Sequence, residues 1–433
     1  MKMKVFNPKI ISSFKGYNSQ KLLSDVVAGI IVAIIALPLS IALAIASGAS
    51  PAQGLYTAIV AGFTISLLGG SRVNISGPTA AFATIVAGVI ATNGFDGLII
   101  ATVMAGIILI LLGLCRAGSL IRFMPVTITI GFTSGVAVTI LIGQIKDFLG
   151  LSFGGESPVE AGEKLIAIIK NFGTADLGAF IIGAIGLAVL ICWNILGSKL
   201  NSPVGAVMRK IPSSIIAVIV GILIVSLSPL KSATIGSLYP DLSATLPKFS
   251  LPSFNVNTVI AVIPDAITIA LLAAIESLLS CVVSDNMIGD KHNSNTELIA
   301  QGLGNVCSGM FGGIPATGAI ARTAANVKNG GRTPIAGMVH ALVLLLFLAV
   351  LMPVAKLIPM PIIAAILFIV AYNMSEWRSV VKICKTKNVA DIIVLFTTFA
   401  LTVAINLVVA IVVGIVLTLI FKIPTLFKKT KNA

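Results

Sequence analysis

Charge is what this sequence has least of. Only 10% of its 433 residues are charged, where a soluble globular protein carries about a quarter. Most of its surface must therefore face something other than water. Carboxylates are the scarcest charges, with 15 Asp and Glu against 29 Lys and Arg. The two histidines, His292 and His340, lie far apart, and the five cysteines (Cys115, Cys192, Cys281, Cys307, Cys384) form no CxxC pair. That spacing argues against a disulfide framework and against a zinc site. Paired catalytic carboxylates, a nucleophile–histidine arrangement and a Walker-type phosphate loop are all missing, so an enzyme is the least expected class. The net charge of +14 is scattered through short loops without a basic face or interleaved aromatics, which speaks against a nucleic-acid partner.

What the sequence has instead is apolar length. Hydrophobic residues make up 57% of the chain and mean hydropathy is +1.09. In lipid every backbone polar group must be satisfied internally. The runs are long and rich in Ala, Ile, Leu and Gly, unlike the alternating strands of a membrane barrel, and predict an all-α polytopic membrane protein. About fourteen segments are expected, several shorter than a full span of about 20 residues. In the first half they fall near 22–47, 51–69, 74–92, 97–115, 124–148, 176–196 and 212–228. In the second half they fall near 258–284, 296–312, 314–327, 335–352, 358–373, 389–405 and 408–421. The first run is too long for a signal peptide and has no convincing cleavage site. With the N-terminus placed in the cytoplasm, 23 of the 29 Lys and Arg residues fall on the cytoplasmic side and 6 outside, as the positive-inside rule requires. Both termini are then cytoplasmic (1–21 and 422–433), and the expected location is a bacterial inner membrane.

Two stretches interrupt the apolar pattern in the same way. Each half begins with an apolar helix carrying an early proline, Pro38 or Pro264. Each half also reaches a Gly-Gly pair followed by a proline-broken segment: GGSRVNISGPTAA from Gly69 and GGIPATGAIART from Gly312. An odd number of segments per half inverts one half relative to the other. Paired interrupted segments at matching positions point to a transporter binding site, the alternative being two ordinary kinked helices. Proline suits the first turn of a helix, so helices are expected to begin near Pro78 and near Pro315–Thr317. Their free amides, near Thr79, Ala80 and Ala81 and near Thr317, Gly318 and Ala319, would face one another as an anion site. The Thr79 hydroxyl either donates to the anion or caps its helix. Arg322 lies a little over one turn beyond Thr317 and either adds full positive charge to the site or snorkels to the cytoplasm.

Two carboxylates sit in apolar runs. Glu276 is deep in AITIALLAAIESLLSCVV, with Ser280 at i+4 on the same face. An ionised carboxylate is costly there, so Glu276 is expected to take a proton or, with Ser280 and backbone carbonyls, a sodium ion. A structural hydrogen-bonded glutamate is the alternative. Asp265, just after Pro264, reads as a helix-start carboxylate. No cofactor is expected beyond that coupling proton or sodium ion.

The motifs SPAQGLYTA from Ser50, GGSRVNISGPTAA from Gly69, GFTSG from Gly131, IESLLSCVVSDNM from Ile275, KHNSNTELIAQGLGN from Lys291, GGIPATGAIARTAAN from Gly312 and YNMSEW from Tyr372 cover nearly the whole chain. With them the sequence resembles the SulP (sulfate permease) family of anion transporters, and most strongly its bacterial members of the dicarboxylate (succinate-type) subgroup. The resemblance implies two inverted seven-segment repeats, 22–228 and 258–421. It implies a core domain (22–115 and 258–327) and a gate domain (124–228 and 335–421), with two half-helices meeting at mid-membrane. It also implies an anion site between the third and tenth segments. By motif, Thr79 and Ala80 match anion-contacting positions and Arg322 matches an arginine that makes the site positive. Glu276 and Ser280 match the cation site of sodium-coupled relatives, which carry Asp where this chain has Glu276; glutamate leans the expectation to protons.

Two features depart from the family. Leu39 is apolar where animal members often place a glutamine. The chain also stops shortly after its last span, without the C-terminal STAS domain that most members carry. The expected function is cation-coupled symport of a small anion of the sulfate, bicarbonate or dicarboxylate class, with an elevator-like core movement. A passive anion channel or exchanger and a nucleobase symporter are the competitors. The expected partners are that small inorganic or organic anion and the lipid bilayer, with a homodimer left open.

Overall fold

The computed structural model describes residues 6–14, 16–119, 125–155, 158, 160–200, 205, 208, 211–240, 242, 245–252, 255–405 and 407–430, the last stretch by backbone alone at 407–408 and 422–430. Of the charge map above, Lys2, Lys4, Lys15, Arg122, Arg209, Lys210 and Lys431 lie outside the described residues, as does position 124, the expected start of the fifth segment.

The first half runs α1 (Ser19–Ala46), α2 (Pro51–Leu68), β1 (Ser76–Gly77), α3 (Ala83–Leu114), α4 (Val126–Leu149), α5 (Leu177–Lys199) and α6 (Ser213–Leu227). The second runs α7 (Ile263–Ile288), α8 (Ser294–Met310), β2 (Thr317–Gly318), α9 (Ile320–Lys328), α10 (Pro334–Ala355), α11 (Met360–Met374), α12 (Val389–Ala404) and α13 (Leu407–Thr430). α3 counts as two segments. Gly94 inside it has φ 67° and ψ −176°, a left-handed conformation that glycine adopts at little cost, and it divides the run where the sequence breaks at residues 93–96. Seven segments in each half result, in the same order. Pro264 stands in the first turn of α7 with Asp265 beside it, a proline position that sacrifices no helical hydrogen bond.

The helices sort into two packed groups. α1, α2, α3, α7, α8, α9 and α10 pack on one another, and α4, α5, α6, α11, α12 and α13 form the other group. α10, which the sequence boundary at 335 sets with the second group, lies against α1 and α2. The reason is local fit: a side chain at Gly29 of α1 would meet the Ala336 carbonyl at 2.6 Å, and one at Gly337 would run into Ser66 of α2. Asp25, fully buried in α1, fastens the same junction. It accepts from the Arg332 amide at 2.8 Å, the Thr333 hydroxyl at 2.5 Å and the Tyr17 hydroxyl at 3.0 Å. α3 and α8 approach through glycine as well, since a Cβ on Gly106 would lie 2.6 Å from the Gly302 carbonyl and one on Gly302 2.5 Å from the Gly106 carbonyl. Small residues at such crossings let backbones pack closely where lipid supplies no hydrophobic drive between helices.

Candidate functional site

The two proline-broken stretches meet in the middle of the first group. Their backbones leave helical geometry and pair as a two-residue antiparallel ladder, Ser76 opposite Gly318 and Gly77 opposite Thr317. Extended backbone at this depth needs other partners, and side chains supply them. Thr57 both accepts from the Ile314 amide at 2.7 Å and donates to its carbonyl at 3.0 Å. Asn305 pairs with both backbone groups of Ala316 at 2.9 Å. Thr323 accepts from the Ile75 amide at 3.0 Å, and Asn326 donates to the Val73 carbonyl at 2.9 Å.

The anchor of the first stretch is a residue that sequence reasoning missed. Glu297, fully buried in α8, accepts from the amides of Gly70 (2.9 Å) and Ser71 (3.2 Å) through one oxygen. Its other oxygen accepts from Asn74 Nδ2 (2.8 Å) and Gln301 Nε2 (3.0 Å). Four donors make a buried carboxylate tolerable. The signal was present in the run SNTELIAQGLGN, too polar for an ordinary span, with Glu297 and Gln301 at i, i+4 on one face.

Beyond the ladder the chain turns helical again, but later than the prolines suggest. On the first side Thr79 is the extended cap (φ −125°, ψ 156°), a 3₁₀ turn covers Ala80–Phe82, and α3 follows. On the second side Ala319 is the cap and α9 starts at Ile320. This corrects the expected start near Pro315–Thr317. Thr317 and Gly318 are held in the ladder, the Thr317 hydroxyl donates to the Ala273 carbonyl at 2.9 Å, and the Ala319 amide donates to the Ile75 carbonyl at 2.8 Å. Among the described residues, the amides without a backbone partner at this helix end are therefore those of Ile320, Ala321 and Arg322, and on the first side those of Ala80 and Ala81. Thr79 and Ala319 are partly exposed and Ile320 and Ala321 exposed, so both helix starts border an opening.

Arg322 is 2% exposed. Its guanidinium reaches back across the ladder, Nη2 donating to the Pro78 carbonyl. A side chain at Gly77 would meet its Nη1 at 2.5 Å, so glycine there makes room for it. Among the described residues, Nε and Nη1 have no partner. The guanidinium thus points into the bundle from the first turn of α9, with two donors unpaired among the described residues beside the two helix starts.

Glu276 and Ser280, expected as a pair, part company. Glu276 is partly exposed, and its Oε2 accepts from the Thr79 hydroxyl at 3.0 Å. The Thr79 side chain makes no cap bond, so neither role weighed for it from sequence describes this contact. Ser280 is fully buried and donates to Asn74 Oδ1 at 2.7 Å, with Thr323 Oγ1 at 3.1 Å. It belongs to the polar knot around Glu297 rather than to Glu276.

A bundle of fourteen membrane segments, two of them broken and joined end to end around an arginine, defines a polytopic membrane transporter. Comparison with known proteins places it further. Residues 22–398 match the model of the Sulfate permease family, and the chain belongs to that family of anion transporters. YvdB of Bacillus subtilis, a protein named for sulfate transport, is 42% identical over 419 residues, covering 96% of this chain and 77% of YvdB. The bicarbonate transporter BicA of Picosynechococcus is 31% identical over 393 residues, covering 89% of this chain and 67% of BicA. The solved transmembrane domain of a cyanobacterial BicA superposes with a TM-score of 0.77 at 29% identity, over 91% of this chain and 98% of that domain. SLC26A9 superposes with a TM-score of 0.85 at 18% identity, over 95% of this chain and 67% of SLC26A9, a likeness of fold. These relatives are named as transporters, not enzymes.

Proposed function

We propose that this protein is a proton-coupled symporter of a small oxyanion, bound between the helix starts at Ala80–Ala81 and Ile320–Arg322 with Arg322 as the full positive charge. The observation that carries the coupling is the 3.0 Å bond from Thr79 to Glu276. Thr79 caps the first helix end, so the carboxylate sits next to the anion's donors. An ionised Glu276 repels an anion arriving there; a proton on it removes the repulsion. Anion and proton then load together, each offsetting the other's charge in a medium where net charge is costly. Ser280 is already committed to Asn74 and Thr323, which favours a proton over sodium at Glu276.

The two packed groups act as a core and a gate, with α10 in the core, and the core carries the site across by an elevator-like movement. The helix starts are clipped together by the β1–β2 ladder, which suits movement as one unit. The protein functions in the bacterial plasma membrane with both termini cytoplasmic. Its substrates fall among sulfate, bicarbonate and dicarboxylates, and the motif likeness noted above favours dicarboxylates.

The test is uptake by purified protein in liposomes against that anion panel, with proton and sodium gradients imposed separately. Glu276→Gln mimics the protonated carboxylate. It should still bind and exchange anion, lose accumulation driven by a proton gradient, and show uptake nearly independent of pH. Wild-type-level accumulation by Glu276→Gln would refute the coupling role, and accumulation driven by sodium alone would replace the proton with sodium.

A further inference from the structure

We infer that the crevice beside the first half-helix holds a second anion station, formed by Gln144, Lys164 and Lys146, where a small oxyanion waits before it reaches the helix starts. The crevice is a cavity of about 380 Å³, within the size range of small-molecule sites. One wall is Ile45, Ala83, Thr84 and Ala87 of α1 and α3, and the other is Thr139, Gly143 and Gln144 of α4. Its inner end, at Ala83 and Thr84, is the turn that follows the free amides of Ala80 and Ala81. It opens on the face that carries the 149–175 and 229–257 loops.

Three observations point to an anion there. Lys164, on the short helix Ala161–Lys170, reaches into the crevice, where a side chain at Gly143 would sit 3.7 Å from its Nζ. Among the described residues no carboxylate pairs with it. Burial pushes its ammonium below the ordinary lysine value, because a low-dielectric site disfavours the charged form. Gln144 is only 5% exposed, and among the described residues its Oε1 has no partner. The Gln144 amide lines the crevice and is a neutral hydrogen-bonding group in its wall. Lys146 lines the same space with its ammonium 4.9 Å from the centre of the Phe153 ring.

The remaining polar groups fit a station rather than a trap. Asp147 also lines the crevice, and its carboxylate limits how tightly an anion is held beside Lys164. Tyr239 lines it too; burial and then the Asp147 charge push its phenol above the ordinary value, so it remains a hydrogen-bond donor at neutral pH.

The role in transport rests on the symport reading, but the station can be tested without it. In a cysteine-free chain, Thr84→Cys places a reporter thiol on the crevice wall. An anionic thiosulfonate reagent should label it roughly tenfold faster than a cationic one of similar size, by local concentration. Sodium sulfate should slow the labelling. Adding Lys164→Gln should bring the two rates close together, and Lys164→Arg should restore the preference, which separates loss of charge from loss of folding. Equal rates, a cationic preference, no labelling, or a preference unchanged by Lys164→Gln would each overturn the station. In liposomes, Lys164→Gln should raise the half-saturating anion concentration several-fold on the loop-bearing side and leave the opposite side unchanged; equal effects on both sides would remove the station from the transport path. A wild-type protein that moves no anion but keeps the labelling preference would refute the transport reading and retain the station.

Discussion

Arg322→Ala gives the most quantitative test of the site, because the effect should scale with the charge of the anion. The guanidinium is buried, holds the Pro78 carbonyl through Nη2, and keeps Nε and Nη1 unpaired. Take an anion about 6 Å from it and an effective dielectric near 20. Each unit of negative charge then gains about 3 kcal/mol, or roughly a hundredfold in affinity. A monoanion such as bicarbonate should lose roughly a hundredfold on Arg322→Ala. A dianion such as sulfate or succinate should lose about twice the free energy, roughly ten-thousand-fold, which amounts to no measurable binding. Arg322→Lys keeps the charge without the planar fork and should recover only part of the loss. The assay is equilibrium binding to purified protein, with melting temperature and gel-filtration profile as controls, since the orphaned Pro78 carbonyl will itself lower stability by about 1–3 kcal/mol. Equal, small losses for mono- and dianions would refute electrostatic recognition by Arg322. Unchanged affinity in both variants would remove it from the site altogether.

Three further outcomes are expected. Thr79→Phe and Ala321→Phe should each abolish anion uptake while leaving the melting temperature within a few degrees of wild type, because both positions border the opening rather than the packed interior; normal uptake in liposomes would put the substrate elsewhere. Glu297→Gln should lower stability by about 2–4 kcal/mol, seen as a fall in melting temperature, because it turns an NH₂ toward two of the four donors that need an acceptor; an unchanged melting temperature would show that the polar knot does not depend on the carboxylate. Burial, the Asp25 charge and the hydrogen bond to it push the Tyr17 phenol up to about 12. The unfolded chain releases that proton near pH 10, so stability should fall as pH rises from about 10 to 12, and Tyr17→Phe should flatten that part of a pH–melting curve.

The segments were legible because lipid allows few solutions: long apolar runs become helices, and Gly94 marks the break inside α3. The site was legible to within a turn. The prolines marked both interruptions, but a rule that puts proline in the first helical turn takes no account of a partner strand. Thr317 and Gly318 are extended because Ser76 and Gly77 lie opposite, a pairing between distant stretches that no local pattern encodes. For the same reason Ser280 could be put on the Glu276 face of α7 by spacing, while its actual partner, Asn74, comes from the other half. Asp25 and Glu297 escaped notice because each sits where an apolar run gives way to polar sequence, and there a carboxylate reads as a loop residue until the fold buries it.

The ladder between Ser76–Gly77 and Thr317–Gly318 also sets an order of events during biosynthesis. The first interrupted segment leaves the ribosome long before the strand that will satisfy its backbone exists, and Asn74 waits likewise for Glu297 and Ser280. A half-made chain therefore holds open backbone amides and carbonyls that hydrocarbon will not tolerate. Either water stays with that segment, or it remains outside the lipid until the second half arrives. The two halves repeat one pattern but cannot mature one after the other; the centre of the molecule closes only when the last part of its seam has been synthesised.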